Sequence, residues 1–221
     1  MSDEDDAARP GWVAAEVAAE LPGLRLLEAD APAVRGRTPA EARARLRGLA
    51  DRFGGARALE LRRQAVPAAY RVAFRHLGLD PDVDRPPAEA AVLQRLLHGG
   101  FRSAGLPGDA LLLAVVETGV PVWALDAGRL DGPLGLRTAR PGERLGEGEL
   151  ASDLGPSRLV VADAGAPVAV LFGAAAPDRE PGRATRALRL FTVGVSGVPE
   201  LHLEEALAIA REVLVEGATP G

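Results

Sequence analysis

Residues 66–145 read VPAAYRVAFRHLGLDPDVDRPPAEAAVLQRLLHGGFRSAGLPGDALLLAVVETGVPVWALDAGRLDGPLGLRTARPGERL, and the fold is decided here. The apolar pattern passes from helical to extended spacing within this one run. A helix is predicted over residues 67–77, with Arg71 and Arg75 four apart on one face and Phe74 and Leu77 packing elsewhere; Gly78 stops it. Prolines at 81, 86 and 87 stiffen the connection. A second helix then opens over residues 86–97, with Val92, Leu93, Leu96 and Leu97 as its inner stripe and Gly99-Gly100 at its end. Residues 107–118 carry an apolar centre that suits a buried strand or a helix. Pro107 at the opening, Asp109 in the first turn and Gly119 at the end favour the helix. A strand follows over residues 120–125, closed by Asp126, and a short one lies after Gly132, before Arg137 and Glu143.

Upstream, residues 1–10 read as a disordered acidic tail and residues 12–21 as a short helix stopped by Pro22-Gly23. Residues 24–28 form a strand candidate. Thr38-Pro39-Ala40-Glu41 is a helix opening, with Thr38 able to cap, Pro39 suited to the first turn and Glu41 at the capping-box position. That helix should reach about Arg52. Downstream, after a loop over residues 141–155, residues 158–162 and 168–172 suggest a hairpin turning at Asp163-Ala164-Gly165. A strand over residues 187–195 and an amphipathic helix carrying Leu203, Leu207, Ala210, Val213 and Leu214 complete the order. Helices and strands interleave without a regular βαβ period, so the class is α+β, with residues 11–217 as a single domain.

The 221 residues suit one large domain, with a core of Leu, Val and Ala because aromatics are only 4%. All 26 basic residues are arginine, which reads as GC-rich codon usage. The formal charge of −5 argues against a general nucleic-acid coat and leaves room for a local patch. Zero cysteine excludes disulfides, thiolate zinc sites and a cysteine nucleophile. The acidic start lacks the basic and apolar regions of a signal peptide, and no apolar run approaches the ~20 residues of a membrane span, so a cytoplasmic protein without a membrane partner is expected.

No complete catalytic constellation is present. His76, His98 and His202 stand outside metal spacing, no serine has a nucleophile-elbow context, and no glycine-rich turn forms a phosphate loop. No metal or cofactor is therefore expected. Asp126, Glu143 and Asp163 are single carboxylates that serve as turn or cap residues or as a base. Arg71, Arg75, Arg95 and Arg137 either converge on an RNA phosphate, whose oxygens match guanidinium forks, or pair with surface carboxylates. Trp123 is either a core filler or the floor of a pocket.

Residues 66 to about 195 resemble the tRNA-editing module of the phenylalanyl-tRNA synthetase beta subunit, its paired B-three and B-four domain, and more closely the free-standing proteins that carry it. The resemblance rests on Tyr70-Arg71, Leu77-Gly78, Pro86-x-x-Glu89 with Arg95, Asp109, and Gly119-x-Pro121-x-x-Ala124-x-Asp126. Gly132, Arg137-x-Ala139, Gly142-Glu143, Val161-Ala162-Asp163, Gly173 and Thr185 extend it. It implies a layered β/β/α fold and a partner in tRNA or aminoacyl-tRNA rather than DNA. It further implies metal-independent deacylation of a mischarged tRNA. Arg71, Arg75, Glu89, Arg95, Leu112, Trp123, Asp126 and Arg137 would face RNA or substrate. The family's polar Thr-Asn pair falls on Leu111 and Leu112, its His on Trp123, and a Glu of the late strand near Phe191. A pocket so relined suits an apolar amino acid and has few groups to orient water. The alternative is a non-catalytic module for a small ligand or a protein on the same fold.

Overall fold

The computed structural model describes residues 7–219; the acidic start at residues 1–6 lies outside them. In chain order the elements are β1 (Arg9–Pro10), β2 (Trp12–Val13), α1 (Ala15–Glu20), β3 (Arg25–Pro32) and four helices. These are α2 (Ala40–Arg52), α3 (Gly55–Leu61), α4 (Ala65–His76) and α5 (Pro87–His98). Next come α6 (Gly108–Thr118), β4 (Val122–Asp126), β5 (Gly135–Thr138), β6 (Arg144–Leu145) and β7 (Ser152–Asp153). The chain closes with β8 (Leu159–Ala162), β9 (Pro167–Val170), β10 (Ala187–Gly194) and α7 (Glu200–Ala218). The class is α+β. The first sheet runs β1-β3-β10-β4 with antiparallel neighbours; the second runs β2-β5-β8-β9, with β2 parallel to β5.

Period-two alternation in β10 gives the first sheet two different faces. Leu188, Leu190 and Thr192 are opposite Asp126, Ala124 and Val122 and share the face covered by α7, which packs on β3 and β10 and is itself flanked by α6. Arg189 and Phe191 lie on the other face, with Glu28, Asp30 and Trp123. This face is turned toward the second sheet: the Leu134 N–H donates to the Glu28 carboxylate at 3.1 Å. The layers are thus sheet, sheet and helices. One apolar cluster runs through them from Val17 to Leu214.

The N-terminal segment corrects two expectations. Arg9–Pro10 is no tail but the edge strand of the first sheet, anchored by the Arg9 guanidinium on Glu28 and Asp30. Trp12–Val13 crosses to the second sheet before α1 begins, because the indole lies over Gly135, where a Cβ would come within 2.0 Å of the ring. The Thr38 cap is also corrected. Pro39 precedes α2, and the Thr38 hydroxyl instead donates to Asp109 at 2.5 Å. Helix α3 has no counterpart in the sequence reading, which ends the preceding helix at about Arg52 and assigns no element before residue 67. The segment after β5 holds the small β6–β7 ladder where a loop is predicted.

Candidate functional site

The residues singled out by sequence fall into three settings, beginning with an aromatic group between the sheets. Trp123 on β4 is opposite Phe191 on β10, and the rings stack with centroids 5.3 Å apart and planes 12° apart. Phe172, at φ +56 just past β9, reaches across to Trp123 at 6.1 Å, Phe74 at 5.1 Å and Tyr70 at 5.9 Å. The Tyr70 hydroxyl donates to the Val193 carbonyl at 2.8 Å, fixing α4 to the first sheet, and burial pushes its pKa far up. Trp123 and Phe172 are partly exposed, whereas Phe191, Phe74 and Tyr70 are buried. Leu111 and Leu112 are not joined to this group: they are half-buried on α6, which packs beside α7 on the other side of the first sheet, and rest on the general core.

The second setting is ionic. Arg71 is nearly enclosed and spans two carboxylates, Glu89 at 2.9 Å and Asp82 at 2.9 Å; Arg62 also pairs with Glu89, at 3.2 Å. The Arg71 hydrogen bond holds the Asp82 carboxyl below its usual range. Arg137 forms a bidentate pair with Glu143, at 2.6 and 2.7 Å, and this bond likewise depresses the Glu143 pKa against the opposing effect of burial. Arg75 is exposed, and Arg95 is half-buried with an unpartnered Nε. Of the two alternatives read from sequence, Arg71 and Arg137 take the pairing with carboxylates, in two separate clusters, because each guanidinium has an acidic neighbour close in the fold.

In the third setting, carboxylates organise turns. Asp126 accepts from the Gly128 N–H at 3.0 Å and from the Thr185 hydroxyl at 2.7 Å. Asp163 accepts from Gly165, Ala166 and Asp131 N–H groups, and fully buried Asp109 from Thr38, Ser103 and Ala104. Their oxygens are occupied, which suits positioning and not proton transfer.

Sequence reasoning missed a charged quartet beside the aromatic group. Glu28, 1% exposed, takes Arg9 at 3.0 Å and Arg189 at 3.0 Å; Asp30 takes the same two arginines at 2.8 and 2.7 Å. Burial would raise the Asp30 pKa, but the hydrogen bonds from Arg189 and Arg9 outweigh it and hold it below the ordinary value. A signal for it exists in the sequence: Glu28 and Asp30 alternate with buried Leu27 and Ala29 in a strand that should be apolar on both faces. A groove of about 330 Å³ between α1, α4 and the second sheet is lined by Val17, Leu21, His76, Leu77 and Thr138 among others, and by none of the predicted site residues.

Part of the chain is similar to phenylalanine–tRNA ligase beta subunits. The subunit of Xanthomonas euvesicatoria pv. vesicatoria is 36% identical over 95 residues, 42% of this chain and 12% of that protein. That of Thiobacillus denitrificans is 39% identical over 79 residues, 35% of this chain and 10% of the relative; that of Chromobacterium violaceum is 35% identical over 85 residues, 38% and 11%. The matched region is thus a small part of these relatives' length. No protein-family profile matches the chain.

Proposed function

We propose that this protein is a tRNA-binding relative of the editing module of the ligase beta subunit, and that it holds an aminoacyl end without hydrolysing it. The observation that carries this reading is the Trp123–Phe191 stack, set where the resemblance calls for polar groups. Its support is the 35–39% identity to ligase beta subunits and the sheet–sheet–helix layering. An apolar wall made of these rings favours an apolar amino acid, since it offers no partner to a tyrosine hydroxyl. Nor does it offer a base. The carboxylates of the quartet are held by two arginines, and Asp126 is held by Gly128 and Thr185.

The test is a panel of aminoacyl-tRNAs incubated with the purified protein, scored for both binding and ester loss. Retention of tRNA charged with apolar amino acids, with ester loss at the spontaneous rate, is the expected result. Accelerated release of any amino acid would overturn the non-hydrolytic part. One observation favours the second reading, a small-ligand or protein-binding module: the rings already fill one another's packing surfaces. Such a module would bind with little salt dependence, whereas phosphate contacts weaken steeply as salt rises.

A further inference from the structure

Charge is distributed unevenly along this chain. Residues 35–102 hold 14 of the 26 arginines but only 7 of the 31 acidic residues, a formal +7, which leaves the remainder at −12. This segment is the helical run α2–α5. Of its fourteen arginines only Arg35, Arg45, Arg62 and Arg71 make a side-chain hydrogen bond or ion pair among the described residues. Eight of the twelve elsewhere do. The unpaired guanidinium groups are therefore not a uniform coat set by composition; they gather on one part of the fold. Helix α3 packs on α5, α5 on α6 and α6 on α2, so these groups flank a common helical row.

Within that row, a groove of about 330 Å³ separates α2 from the chain leaving α5. Arg43 and Arg47, one helical turn apart, form one wall with Leu46; Gly99, Gly100, Phe101 and Ser103 form the other. Arg43 Nε is buried without a partner, and a Cβ at Gly99 or Gly100 would meet no atom within 4 Å. The single acidic group in the lining, Asp51, lies farther than 4 Å from both arginines, since neither pairs with it.

We infer that this groove docks a single-stranded stretch of RNA, with Arg43 and Arg47 on consecutive phosphates and the half-buried Phe101 ring as a stacking platform. The inference rests on the tRNA-binding reading and names a surface for it distinct from the Trp123 wall. Unpaired guanidinium forks, small residues admitting a backbone and one aromatic ring are the features that sequence-tolerant single-strand binding uses. An acidic protein would also be drawn to the charge, but it would leave the ring and the glycine opening unused.

The experiment is a salt titration of uncharged tRNA binding to the full chain, comparing wild type with R43Q/R47Q, F101A, D51N and R183Q. Arg183 is an unpaired arginine outside the helical run. We expect R43Q/R47Q to weaken binding at least tenfold and to lower the salt slope by about 0.7 for each phosphate that is no longer neutralised. F101A should weaken binding at all salt concentrations without changing the slope, and R183Q should match wild type. D51N should tighten binding, a gain that misfolding cannot produce. Equal, salt-sensitive binding by all five proteins would overturn the groove while leaving the tRNA reading intact. No tRNA binding by wild type, with salt-sensitive binding of poly-glutamate, would overturn both in favour of an acidic protein partner.

Discussion

Glu28 is enclosed between two sheets, yet it answers two guanidinium groups and one backbone N–H at once. Removing its charge leaves Arg9 and Arg189 facing a neutral group in a shielded place, so E28Q is expected to cost about 3 kcal/mol, read by urea unfolding. The exposed Asp82, whose two arginine partners reach it at the solvent boundary, should be substitutable by Asn with no resolvable change in the same assay. Asp30 adds a pH dependence. Its folded pKa lies below the unfolded value of ~3.9, so its contribution is fully present above that pH and is lost as pH falls through the lower folded value. Thermal unfolding of wild type between pH 6 and 2 should therefore fall more steeply at the acid end than that of D30N. Asp30 is not enclosed, so the difference should be modest. Equal slopes would show that the quartet is already broken in solution.

The elements show where the chain's pattern is readable and where it is not. Helices α4, α5, α6 and α7 and strands β4, β8 and β10 are legible because each carries a local signal: apolar periodicity, a proline at the start, a glycine at the end. Trp12–Val13 reads locally as helix because its true geometry is set more than a hundred residues away, by the open surface over Gly135. Thr38 misleads for the same reason, its hydroxyl being claimed by Asp109 on α6 before it can cap α2. The candidate site is legible only in part. Acidic partners for Arg71 and Arg137 are an open alternative in the sequence, but Glu89 and Glu143 can be matched to them only in three dimensions. Two element-level outcomes follow. G135A should destabilise by about 2 kcal/mol through overpacking against the indole of Trp12, and shift Trp12 fluorescence. W123A should cost about 3 kcal/mol and loosen the β9–α4 packing made through Phe172, visible as faster amide exchange in β9.

At the scale of the whole molecule, arginine is concentrated along α2–α5 while the rest of the chain is net acidic. No helix among the described residues is long and apolar enough to cross a membrane. The polarity predicts that tRNA binding at fixed pH tracks ionic strength far more than it tracks substitutions at Trp123. A double set of variants, in the groove and at the indole, should give losses that add, since the two lie on different parts of the fold. The sheets have a further bearing. The centre of the first sheet is β10, whose Ala187 pairs with Pro32 and Gly194 with Arg25, separations of 155 and 169 residues. On a ribosome, β3 and β4 emerge long before the strand that belongs between them, and they wait with unpaired edges until β10 arrives. A chain stopped at residue 186 should stay unfolded by circular dichroism, and full-length refolding should be slow for its size. For this protein the hazardous interval is the one during synthesis, when a holding chaperone would matter more than it does to the finished fold.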